Sequence, residues 1–136
     1  MLVLALSAAA LLSCVYVPPT GAKSAVKVLP TAAPSLASAK TRPTAVEWLM
    51  TGDYMTKLRW RKWGHARATA TGVYHLNRCQ PCTKGPYKRM RGKLTLSRIV
   101  TCRGVRLYTS ASTRYLLHGH WRKTTGLGEP ANPCDT

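Results

Sequence analysis

From residue 57 onward apolar and polar positions alternate with a period of two, the mark of strands that bury one face. In the first such run Leu58 and Trp60 fall on one side, while Lys57, Arg59 and Arg61 fall on the other. Trp63 lies opposite Trp60, and Gly64 marks a turn. Residues 66–76 then set Ala66, Ala68, Ala70, Gly72, Tyr74 and Leu76 against Arg67, Thr69, Thr71, Val73 and His75. The small face of this second run leaves room for a bulky neighbour, an indole from the preceding strand. A third strand is predicted over 93–100, with Leu94 and Leu96 in phase with Cys102. A fourth is predicted over 105–117, with Val105, Leu107, Ala111, Tyr115 and Leu117 on one side. Regular spacing with turn signals between the runs predicts a small all-β fold, an antiparallel meander or half-closed barrel of about four strands. The end of the chain, with Gly126, Gly128, Pro130 and Pro133, reads as irregular.

The first third has a different pattern. Residues 2–17 are apolar or small, and no charge precedes Lys23. That run is short for a membrane span and has the length of a signal-peptide apolar segment, although the positive residues usual before such a segment are missing. Leu11-Leu-Ser-Cys14 has the form of a lipobox, which makes residues 1–14 an export signal and Cys14 a lipidation site; the alternatives are an ordinary leader cut nearby or a buried cysteine. Residues 15–43, interrupted by Pro18, Pro19, Pro30, Pro34 and Pro43 and rich in Ala, Ser and Thr, read as a flexible tether. The domain proper is then 44–136. At its start Thr44-Ala-Val-Glu47 has the form of a capping box, for one or two helical turns or for irregular chain that lays Trp48 onto the domain.

Charge changes the picture most. Of 21 Lys and Arg, 17 fall in residues 57–136, together with only two of the four acidic residues. Such a domain concentrates anionic polymers around itself, so the candidate partners are an anionic envelope polymer, a lipid surface or nucleic acid. The candidate polyanion-binding residues are Arg59, Arg61, Trp63, Arg67, Arg89 and Arg91. A nucleic-acid interface would extend this set with Lys62, Lys88 and Lys93 and with Trp60, Tyr74 and Tyr87 as stacking rings. The opposing reading places the indoles in the core, because a chain without Phe has only Trp and Tyr for large aromatic contacts.

Five cysteines complete the inventory. With Cys14 lipidated, Cys79, Cys82, Cys102 and Cys134 remain as two disulfides, whose three connectivities sequence does not separate. A bridge from the Cys79/Cys82 turn to Cys102 is favoured, because it would pin the end of the second predicted strand to the third. Cys79-Gln-Pro-Cys82 has redox spacing, but Gly85 and Pro86 break the helix that a redox pair requires. Cys79, Cys82, His118 and His120 would make a zinc set, except that His-Gly-His is spaced too closely and an oxidising compartment disfavours free thiolates. Neither a metal nor another cofactor is expected. The acidic residues show no paired spacing and the histidines read as surface or turn residues, so no enzyme is expected.

Trp60-Arg-Lys-Trp63-Gly64, Ala70-Thr-Gly72-Val-Tyr74, Asn77-Arg-Cys79-Gln-Pro-Cys82, Leu96-Ser-Arg98, Cys102 and Tyr108-Thr109 follow in order. This succession, over about residues 57–117, resembles a group of small secreted actinobacterial proteins of unknown function. That group shows a Trp-x-x-Trp-Gly start, a Cys-x-Pro-x-Cys turn, a Leu-Ser-Arg strand and a later Cys before Tyr-Thr. The turn here is one residue shorter, and Ile99 stands where proline is usual. The resemblance implies an exported all-β domain and supplies no activity. The expectation is a non-catalytic protein, secreted or anchored to the outer face of the cytoplasmic membrane, binding anionic envelope polymer or lipid through its basic face. A nucleic-acid module is the alternative, and an enzyme or a zinc or redox protein the third.

Overall fold

The structure is a computed structural model and describes residues 24–33, 35–48, 51–79, 82 and 84–134. The leader and Cys14 lie outside the described residues. The fold is all-β: β1 (Val26–Lys27), a 3-10 turn (Leu36–Ser38), β2 (Tyr54–Arg61), β3 (Ala68–Asn77), β4 (Tyr87–Cys102), β5 (Val105–Leu117) and β6 (His120–Thr124). Strands β2 to β5 form the expected antiparallel meander, curled into a half-barrel. On the free edge of β5, β1 pairs in parallel at Arg106 and Leu107, and β6 pairs antiparallel from Thr113 to Leu117. Glu129 approaches the edge between them, its carboxylate accepting from Ser110 Oγ at 3.1 Å. No helix among the described residues is long and apolar enough to cross a membrane.

Strand β2 is not the simple alternation that the sequence predicts. Met55 and Leu58 are both buried although they stand three positions apart, an odd offset. The register with β3 shifts between Thr56 and Arg59, and Lys57 sits at φ 53°. A β-bulge therefore inserts one residue and resets the phase, so that Leu58 and Trp60 continue the inward face begun by Met55. On the small face of β3, Ala70 stands opposite the Trp60 indole as expected, and Gly72 serves the bulge. A methyl group on Gly72 would stand 2.6 Å from the Thr56 carbonyl oxygen.

The segment expected as a tether joins the fold from Val26 onward. Val26, Val28 and Leu29 are buried, and the chain runs along the open side of the half-barrel from the edge of β5 to the edge of β2. Thr31 pairs with Glu47, Val46 pairs with Met55, and Leu58 N–H donates to Thr44 O. Three indoles secure the passage. Trp48 Nε1 donates to Leu29 O at 2.8 Å, Trp60 Nε1 to Pro43 O at 2.7 Å, and Trp63 Nε1 to Val26 O at 2.8 Å. Prolines that break a helix are no obstacle to such a segment, because its backbone is satisfied by edges and side chains rather than by its own turns. The capping-box residues form no helix; Val46 and Glu47 make isolated bridges, and Trp48 is laid into the core at 1% exposure.

The irregular C-terminal tail is also part of the core. Leu127 is fully buried, and Gly126 O accepts from Thr51 Oγ1 at 2.9 Å. Beneath it Asp53, 1% exposed, accepts from the Tyr74 hydroxyl and from Asn77 N–H. Burial, and then the bond to Asp53, raise the Tyr74 phenol well above its usual range, so that it remains a neutral donor.

The disulfides differ from the favoured pairing. Cys79 bonds Cys82, and Cys102 bonds Cys134, with Cα atoms 5.2 and 5.6 Å apart. The reason is strand length. Cys102 ends the 16-residue β4, which carries it about 50 Å along the strand from Tyr87. At the other end Asn77 folds the chain tightly, its amide donating to Cys82 O and its carbonyl accepting from Cys79 N–H. Cys79 meets its neighbour; Cys102 meets the tail.

Candidate polyanion-binding face

Because strand side chains alternate, packing Leu58, Ala70, Leu94 and Thr113 inward sends their neighbours outward. Arg59 pairs with Thr71, Thr71 with Lys93, Lys93 with Arg114, and Arg114 with Lys123. These five exposed residues form one row across β2, β3, β4, β5 and β6. At the usual spacing between strands the row spans about 19 Å along the sheet. A parallel row of Arg61, Thr69, Thr95 and Ser112 lies two residues along, and Arg59, Arg61, Lys93 and the threonines between them line a groove of about 260 Å³. Arg67, in the loop before β3, lines the adjoining hollow with Lys93, Arg114 and Lys123. Among the acidic side chains described, Asp53 is buried beneath the sheet, and Glu129 lines a pocket with Lys123 at the far end of the row.

Five of the six residues singled out from the sequence are exposed: Arg59, Arg61, Arg67, Arg89 and Arg91. Trp63 belongs to another part of the molecule. It is half-buried against Trp60 and Tyr108, with ring centroids 4.7 and 5.3 Å away, and its indole N–H is already committed to Val26 O. Two further stacking candidates are also used inside, since Tyr74 is fully buried and Trp60 packs against the core. Arg114 and Lys123 were not singled out. Arg114 stands on the polar phase of the predicted fourth strand, a signal that was present; Lys123 lies on β6, where the inward positions are too polar to announce a strand.

At the other end of the face β2, β3 and β4 place Tyr54, His75 and Tyr87 together. The Tyr54 and His75 rings stack with centroids 4.2 Å apart, Tyr87 meets Tyr54 edge-on, and Thr56 Oγ1 bonds His75 Nε2 at 2.9 Å. His75 is thus 7% exposed rather than a surface residue, because its cross-strand partner Tyr54 stacks on it and Tyr87 stands edge-on beside it. Burial, then the charges of Arg89 and Lys57, lower its basicity below the ordinary value. The same positive field that would attract an anion opposes a proton here.

Lys93 Nζ stands 4.2 Å above the centre of the Trp121 ring, a cation–π contact that ties the β4 ammonium to a ring of β6. The zinc combination considered above has no thiolates to offer, since Cys79 and Cys82 are bonded to each other. Among the described residues no group of three or more His, Cys, Asp or Glu is placed to hold a metal ion. No protein-family model, curated protein or solved structure matches the chain.

Proposed function

We propose that this chain is an exported, non-catalytic protein of the cell envelope whose outer sheet face holds an anionic envelope polymer. The observation that carries this reading is the cross-strand row in which Arg59, Lys93, Arg114 and Lys123 share one exposed line. Charge alone speaks to solubility, but cations fixed in register on a rigid sheet present a defined surface to a polyanion. Hydroxyl groups from Thr69, Thr71, Thr95 and Ser112 stand beside them as neutral hydrogen-bond partners. Two disulfides suit an oxidising compartment, which favours an envelope polymer over genomic DNA as the partner.

The test is retention of the full chain on immobilised teichoic-acid-type polymer and on anionic lipid vesicles, across a series of salt concentrations, with duplex DNA as competitor. Retention that weakens with salt and is not displaced preferentially by DNA is the expected result. Preferential displacement by DNA would replace the envelope polymer with nucleic acid. Failure to bind any polyanion would end the reading. The intact mass of protein extracted from the envelope tests the anchor at Cys14 separately.

A further inference from the structure

Three lines of side chains run side by side across the outer face, and they differ in chemistry. The middle line carries Arg59, Lys93, Arg114 and Lys123, with Thr71 as its one neutral member. On one side lies the hydroxyl line of Thr69, Thr95 and Ser112, headed by Arg61. On the other side Val73 pairs with Thr56 and Arg91, and Leu116 pairs with Trp121, all of these apolar residues being partly exposed. Each flanking line carries an arginine, Arg61 or Arg91, but only in the middle line do cations occupy four of the five positions.

Resting on the polyanion reading, we propose that the middle line is a track for one linear phosphodiester polymer with polyol or sugar spacers, lying across the strands. Its phosphates sit on Arg59, Lys93, Arg114 and Lys123. Its spacers lie against the neighbouring lines, hydroxyls toward Thr69, Thr95 and Ser112 and carbon skeleton toward Val73 and Leu116. Thr71 separates Arg59 from Lys93 by two strand spacings, about 10 Å, which leaves room for a spacer between two bound phosphates. Single-stranded nucleic acid fits the track less well. It requires successive open rings on which bases can stack, and the ring beside the track, Trp121, has the Lys93 ammonium over its face.

The track is tested with the full chain and two end-labelled probes of equal charge, poly(glycerol phosphate) and single-stranded oligothymidylate, titrated over a range of salt. Four phosphate contacts predict a log–log salt slope of about −3 for the polyol probe. Arg59→Gln and Arg114→Gln should each reduce the magnitude of the slope by about 0.7 and weaken binding about fivefold near 0.1 M salt. Lys40→Gln and Arg103→Gln remove the same charge from exposed sites off the track. They should leave the slope unchanged and alter affinity less than about twofold, through screened long-range attraction alone. If track and off-track variants lose affinity equally, the track is wrong while polyanion binding stands. Tighter binding of oligothymidylate would overturn the polyol-phosphate occupant, and binding to neither probe would overturn both this inference and the function on which it rests.

Discussion

Gly72 and Gly92 are direct cross-strand partners on β3 and β4, and replacing each by alanine should have unequal consequences. In both cases the added methyl would meet its nearest neighbour at 2.6 Å, closer than real side chains approach. At Gly92 that neighbour is Met55 Cε, the end of a flexible chain that can rotate, with Tyr74 Cβ next at 3.0 Å. At Gly72 it is the Thr56 carbonyl oxygen, followed by Leu58 Cδ2 at 3.1 Å and the Lys57 carbonyl oxygen at 3.3 Å. Those oxygens belong to the backbone of the bulge and cannot move without it. Overpacking that forces backbone to shift costs about 1–3 kcal/mol. Alanine recovers about 0.4–1 kcal/mol in both variants by restricting the unfolded chain. Gly92→Ala should therefore stay close to the parent or gain slightly, whereas Gly72→Ala should lose about 1.5 kcal/mol net. Urea unfolding of the full chain, followed by tryptophan fluorescence, measures both as shifts in midpoint at constant m-value. A Gly72→Ala protein as stable as the parent, or less impaired than Gly92→Ala, would refute the claim that Gly72 makes room for the bulge.

Trp48→Phe strands the buried Leu29 carbonyl and should cost about 1–3 kcal/mol beyond the loss of ring volume; Trp63→Phe, at a half-buried site, should cost less, and equal losses in denaturant unfolding would contradict the ranking. Replacing Cys102 and Cys134 by serine opens a loop with a sequence separation of 32 and should cost about 4 kcal/mol in the chain-entropy model, against about 2 kcal/mol for Cys79 and Cys82, whose separation is 3. Paired unfolding curves of the two double variants measure that difference. His75 has a lowered native basicity, so the unfolded state binds the extra proton between its native pKa and the ordinary 6.5. Stability should accordingly rise with pH through that window and level off above it, and His75→Gln should remove this component from a series of thermal midpoints.

The parts of the fold that were legible in the sequence are those where one face is mostly apolar and turns mark both ends. The fourth predicted strand has the observed limits, Val105–Leu117, because turns flank a long alternating run. The start of β2 was hidden by the bulge, since Met55 and Leu58 cannot both be inward in an unbroken two-residue period. Strand β4 begins at Tyr87, before the predicted 93, because among its first five residues only Met90 is buried. Val26 and Val28 have the right alternation, but two residues carry little signal, and their burial depends on indoles supplied by Trp48 and Trp63 from far along the chain. Of the site, the exposed arginines of β2 were readable from phase alone, whereas Arg89 and Arg91, which precede the third predicted strand, were marked by charge only. The alignment of Arg59 with Arg114 and Lys123 was not readable, because register between strands is fixed by pairing and packing rather than by any one strand's pattern.

The bulge also decides the charge pattern of the binding face. In an unbroken strand Arg59 would share a side with Met55 and point into the core, and Arg61 would follow it. Inserting Lys57 at positive φ reverses the phase after Thr56, which keeps Leu58 and Trp60 inside and sends both arginines out. Arg59 then stands opposite Thr71 and completes the row at its β2 end. Gly72 lies beneath this device and gives the bulge its space. A small residue on the inner face of β3 thus helps determine which cations face outward on β2. Damage at Gly72 should consequently reach the track through Arg59 and Arg61, whereas Lys93, Arg114 and Lys123 are held by β4, β5 and β6 and keep their positions. The residual binding of a folded Gly72→Ala protein should resemble that of the Arg59→Gln protein, with a shallower salt slope rather than a complete loss, because one end of the row is displaced while the rest persists.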